Sequence, residues 1–140
     1  MNDIVCQVYY DTKLSEKIFE LLNFYLPKYE PINLDYTFRI DSEKGFSNNQ
    51  EMIDYFVNTN KIDQTFYWNQ YSDNPDKIMF GANITSDNKT IFSLTIYSTI
   101  ERAEVYLNDL KKKLNSEIGT ITFVSPAEYD NGIEFKNKYQ

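Results

Sequence analysis

The amino-acid sequence predicts an α+β fold, a mostly antiparallel sheet of five or more strands covered by three helices in the order β-α-β-α-β-β-β-α-β. Three observations carry this. Residues 34–41 alternate strictly between apolar and polar, three strand-like runs between residues 65 and 97 are separated by short turn-rich segments, and three stretches hold apolar residues at helical spacing. No internal repeat or composition break interrupts the pattern, so residues 1–140 read as one domain.

The elements follow in order. Residues 4–10, Ile-Val-Cys-Gln-Val-Tyr-Tyr, are β-branched and aromatic and form a first strand. Asp11 or Thr12 then caps a helix in which Leu14, Ile18, Leu21, Leu22 and Tyr25 share one face, ended by Pro27; Pro27 to Pro31 is loop. In the alternating strand, Leu34, Tyr36, Phe38 and Ile40 face one way and Asp35, Thr37, Arg39 and Asp41 the other. Beyond Gly45, Ser47 and Gln50 make a capping box before Met52, Ile53, Phe56 and Val57, which predicts a helix over 47–58 with Glu51 and Asp54 exposed. Runs 65–71, 78–85 and 90–97 then form an antiparallel meander with turns at Ser72-Asp73-Asn74-Pro75-Asp76 and Ser86-Asp87-Asn88. Ser98 with Glu101 repeats the capping box ahead of Ile100, Ala103, Leu107, Leu110 and Leu114, and Lys111 to Lys113 suit the negative end of that helix. Residues 120–124 read as a strand, and 132–136 add a short edge strand before a polar tail.

Composition bounds the function. With 41% hydrophobic and 16% aromatic residues, the chain buries enough apolar area to fold without disulfides or metals, and its lone Cys6 suits a buried position in an apolar run. The start of the sequence carries no basic segment followed by a long apolar stretch, so a cytoplasmic protein is expected; the triplets Asn83-Ile84-Thr85 and Asn88-Lys89-Thr90 then carry no glycan. No apolar run approaches the roughly 20 residues that span a bilayer, so no membrane partner is expected. A net charge of -7 disfavours phosphate backbones and hence nucleic acid, and favours a cationic partner.

The absence of histidine removes Ser-His and Cys-His nucleophile pairs together with imidazole bases and ligands. One cysteine supplies no thiolate zinc site, and four scattered glycines make no phosphate cradle. No catalytic residue, metal ligand or cofactor is therefore assigned, and the chain is expected not to be an enzyme. Asp73 with Asp76 reads as turn chemistry, and Glu134-Phe135-Lys136 as an exposed strand end. Aromatic residues offer more. Alternation puts Phe66 and Trp68 on one face and Tyr67 and Tyr71 on the other; one set is core, and the other lies beside an acidic turn suited to gripping Lys and Arg. Residues 41–87 hold eight acids against three lysines, -5 of the total charge. The partner-contact set expected from sequence is therefore Asp41, Glu43, Trp68, Tyr71, Asp73 and Asp76.

The segment from Phe80 through Gly81-Ala82-Asn83 to Ile96 resembles a hairpin of the immunity proteins of bacterial contact-dependent-inhibition and polymorphic toxin systems, and the whole chain is similar to them in size, acidity and element pattern. That resemblance implies a non-catalytic protein that neutralises one cognate toxin domain, often a basic nuclease, by covering its active site or a nearby surface. Two other classes fit less well. An acidic nucleic-acid mimic of phage origin needs carboxylates at phosphate-like intervals along one face. A carboxylate-dependent enzyme needs two convergent acids in a pocket.

Overall fold

A computed structural model of the chain describes residues 2–29, 48–69 and 75–140, which form a five-stranded antiparallel sheet with four helices. The strands are β1 (Asn2–Tyr10), β2 (Gln64–Asn69), β3 (Met79–Ile84), β4 (Thr90–Ser98) and β5 (Gly119–Phe123), in the spatial order β2-β3-β4-β1-β5. The expected meander is β2-β3-β4, and β1 inserts between β4 and β5. The strand expected over 34–41 lies outside the described residues. The helices are α1 (Ser15–Tyr25), α2 (Asn49–Val57), α3 (Ile100–Leu114) and α4 (Gly132–Tyr139).

That fourth helix corrects the sequence reading, which placed an edge strand at 132–136. Gly-Ile-Glu-Phe-Lys alternates, but the Asn131 side chain accepts a hydrogen bond from Glu134 N at 2.9 Å and starts a helical turn. Phe135, fully buried, then anchors the helix. The helix starts also differ in detail. No side chain caps α1; Asp11 instead pairs with Lys89 at 3.1 Å and accepts the Tyr9 hydroxyl at 2.8 Å. Asn48 caps α2, accepting from Glu51 N, and Thr99 caps α3, accepting from Arg102 N. The Ser98 hydroxyl is engaged instead with the Asp76 carboxylate, and Ser98 is the last residue of β4.

The main core lies between one sheet face and the layer of α1, α2 and α3. Ile4, Cys6 and Val8 of β1 face Ile18, Leu21 and Leu22 of α1, Met52, Ile53 and Phe56 of α2, and Ala103, Leu110 and Leu114 of α3 across it. An aromatic series Phe56–Phe66–Trp68–Phe80–Phe92 runs through this core with successive ring centroids 5.3, 6.0, 5.9 and 5.9 Å apart. Each such pair adds about 0.5–1.5 kcal/mol beyond area burial. Lys13, nearly buried, donates to the carbonyls of Phe56 at 3.0 Å and Thr59 at 2.5 Å, tying the start of α1 to the end of α2. Burial pushes the Cys6 thiol up to about 12, so it stays protonated, donating to Ala103 O.

A second, smaller cluster forms on the opposite sheet face. Tyr9, Ile91 and Phe135 are its buried centre, with Ala127, Tyr129 and Tyr139 packed around them. It fastens α4 and the segment before it across the sheet.

A candidate binding cleft on the far sheet face

Strand alternation and the ladder registers define what this far face presents. One row across the sheet is Tyr67, Gly81, Ser93, Gln7 and Thr120; the row on one side is Thr65, Asn83, Ile91 and Tyr9, and on the other Asn69, Met79, Thr95, Val5 and Thr122. The middle row is low at its centre because Gly81 and Ser93 are small. The Tyr67 ring folds over its cross-strand partner Gly81: a Cβ at position 81 would lie 2.9 Å from Tyr67 Cε1 and would collide with Ser93 Oγ. A glycine inside a strand that lets an aromatic ring cover its backbone is a recurrent way to shape a sheet surface.

The wall opposite is the segment between β5 and α4. Val124 takes a left-handed backbone conformation at φ 69°, unusual for a β-branched residue, and turns the chain off the sheet edge, its amide donating to Asp3 O at 2.9 Å. Ala127 N donates to Gln7 Oε1 at 2.8 Å, and Asn83 Nδ2 donates to the Tyr129 hydroxyl at 2.6 Å. Asp87, in the β3–β4 turn, then accepts Gly132 N at 3.0 Å and Ile133 N at 2.9 Å, so it holds the N-terminus of α4. Burial raises the Asp87 carboxyl, but the bonds from Thr85, Ile133 and Gly132 outweigh it and hold it below the ordinary value of 3.8.

Floor and wall enclose a cleft of about 710 Å³, within the size range of sites that hold small molecules or side chains. Among the described residues its lining contains Asp3, Glu128 and Asp130 and no Lys or Arg. Tyr67 is 45% exposed there. The Tyr129 hydroxyl is pushed up to about 12, mainly by burial, with the Asn83 donor opposing and Tyr67 and Asp63 adding to the rise. It is a neutral phenol at physiological pH. Asn83 Oδ1, on the sheet floor, is buried without a hydrogen-bond partner among the described residues. Among the described residues no three His, Cys, Asp or Glu side chains converge where a metal ion would sit.

Of the residues expected from sequence to meet a partner, only Trp68 and Asp76 are among the described residues, and neither lines the cleft. Asp41, Glu43, Tyr71 and Asp73 lie outside the described residues. Trp68 faces the helices at 1% exposure, so it belongs to the core and presents no surface to a partner. Asp76 is engaged internally: its carboxylate accepts Arg102 Nη2 and the Tyr106 hydroxyl, each at 2.7 Å, and its carbonyl accepts Tyr97 N at 2.8 Å. The hydrogen bond from Arg102 is the main reason its carboxyl sits below the usual range. Gln7, Gly81, Asn83 and Tyr129 were the residues missed. Gly81 inside a strand was the one available signal, since an interior glycine marks close approach of another group.

No helix among the described residues is long and apolar enough to cross a membrane. The chain matches no known family model, no curated protein and no solved structure.

Proposed function

We propose that the chain is a non-catalytic binding protein that neutralises a bacterial toxin domain in the cytoplasm by occupying a basic surface at or near the toxin's active site. The observation that carries this is the charge of the cleft: among the described residues its lining holds three carboxylates, two tyrosines and no cation. Such a surface attracts Lys and Arg and repels phosphate, which steers a basic protein toward it and selects against nucleic acid. Exposed Tyr67 supplies a rigid aromatic contact of the kind that dominates interface energetics. The acids of the middle of the chain contribute less directly than their number implies, because Asp76 and Asp87 are spent on internal bonds.

The test is protection in co-expression. A toxin domain encoded beside this chain should be harmless to cells that carry the wild type and should form an equimolar complex with it. The double variant Glu128→Lys/Asp130→Lys should fold normally and lose protection. Full protection by that variant, or no complex with the wild type, contradicts the proposal.

A further inference from the structure

We propose that the cleft contains a subsite for the side chain of one arginine of the partner, formed by the Tyr67 ring, Asn83 Oδ1 and the acidic rim. This rests on the reading of the cleft as the site of a cationic protein partner, and three observations narrow the cation to a guanidinium. The first is the platform. Tyr67 is packed against Gly81 on β3, which restrains the ring, while the residue lines the cleft and stays 45% exposed. A ring held in this way favours a planar, weakly hydrated cation that can stack on it over a compact ammonium.

The second is the unpaired acceptor. Asn83 follows Gly81 by two residues on the same face of β3, about 7 Å along the strand, and is the diagonal neighbour of Tyr67 across the ladder. The Tyr129 hydroxyl engages one polar atom of the Asn83 amide and leaves the other, buried, without a partner. That acceptor lies out of reach of a water-sized group, so a ligand N–H pairs with it only when the Asn83 amide turns toward the cleft, and the pairing then relieves the unsatisfied atom. Guanidinium carries five N–H donors in one plane, so it can stack on Tyr67 and donate toward Asn83 at once. The third is charge. Asp3, Glu128 and Asp130 stand around the same cleft, and among the described residues no Lys or Arg lines it.

The experiment is an NMR titration of the ¹⁵N-labelled chain with N-acetyl-arginine amide, with the lysine and the neutral citrulline amides as comparisons. Arginine amide should give saturable shifts at the Asn83 side-chain NH2 and at the Tyr67 and Gly81 amides, with a dissociation constant on the order of millimolar for so small a probe. Lysine amide should bind roughly fivefold or more weakly, and citrulline amide should produce no saturable shift. Tyr67→Leu should abolish the arginine shifts, whereas Tyr67→Phe, which keeps the ring, should retain them. Equal binding of citrulline, or arginine binding unchanged by Tyr67→Leu, overturns the subsite. A toxin complex that is lost on Glu128→Lys/Asp130→Lys but indifferent to Tyr67→Leu also overturns the subsite and leaves the proposed function standing. Arginine binding that depends on Tyr67, in a chain that forms no toxin complex, supports the subsite and overturns the proposed function.

Discussion

Replacing Asp87 with alanine should loosen the C-terminal segment while leaving the sheet intact. Asp87 accepts the amides of Gly132 and Ile133 at 3.0 and 2.9 Å, while Asn131 independently caps the same helix through Glu134 N. Loss of one of two caps at a partly exposed helix end costs about 0.5–2 kcal/mol. The rest of the attachment, chiefly the buried Phe135 worth about 1.5–3 kcal/mol, remains. A change of about 1.4 kcal/mol in local opening is a tenfold change in the open population, so amides of α4 should exchange with deuterium roughly tenfold faster. Amides of β1 and β4, interior strands paired on both sides, should be far less affected. The pH dependence has a fixed sign. The folded-state pKa of Asp87 is depressed, so its contribution is complete above the ordinary value of 3.8 and is lost as pH falls through the lower folded value. Wild-type α4 protection should therefore decline on acidification in that window, and the D87A variant should lack this part of the decline. Unchanged exchange in α4, or equal acceleration throughout the sheet, would refute the reasoning.

Two further outcomes are expected. Trp68 is buried with no partner for its indole Nε1 among the described residues, so Trp68→Phe exchanges about 1–2 kcal/mol of lost packing for relief of an unsatisfied donor and should change stability by no more than about 1 kcal/mol. Trp68→Ala should cost about 3–5 kcal/mol, both followed by urea denaturation with far-UV circular dichroism. Asp76→Asn should lower stability at neutral pH by weakening the bonds from Arg102 and Tyr106. Because the Asp76 carboxyl lies below its usual range, the difference from wild type should be largest above about pH 4 and shrink as pH falls through the folded value, as read from melting temperatures across pH 2–7.

The elements legible in the sequence were those with a strong local pattern. Phe66 and Trp68 alternate with Tyr67 as a half-buried strand requires, and Ala103, Leu107, Leu110 and Leu114 mark the inner face of α3. Helix starts were placed one residue early where adjacent side chains have equal capping capacity; Thr99 caps α3 while the Ser98 hydroxyl bonds the Asp76 carboxylate. The eight-residue α4 was misread because two turns give little periodicity, and the Asn131 to Glu134 spacing, its cap, was the stronger cue. The cleft had no local signature. Gln7 bonds Ala127 and Asn83 bonds Tyr129, contacts between residues 120 and 46 positions apart that only the sheet order brings together. Acidity along the chain was equally uninformative about the surface, since a carboxylate such as Asp87 shows in the sequence as charge whether it meets solvent or two helix amides.

The most direct measurement of the central claim is the rate of association with the toxin domain at two ionic strengths. It compares the wild type, Glu128→Lys/Asp130→Lys on the cleft wall, and Glu101→Lys/Glu104→Lys on α3, which packs against the other sheet face and carries the same charge change. Reversal at the cleft should slow association roughly three- to tenfold at low salt and flatten its salt dependence, while reversal on α3 leaves both near wild type. Association that is unaffected by Glu128→Lys/Asp130→Lys and slowed by Glu101→Lys/Glu104→Lys would contradict the account and move the interface to the helical face.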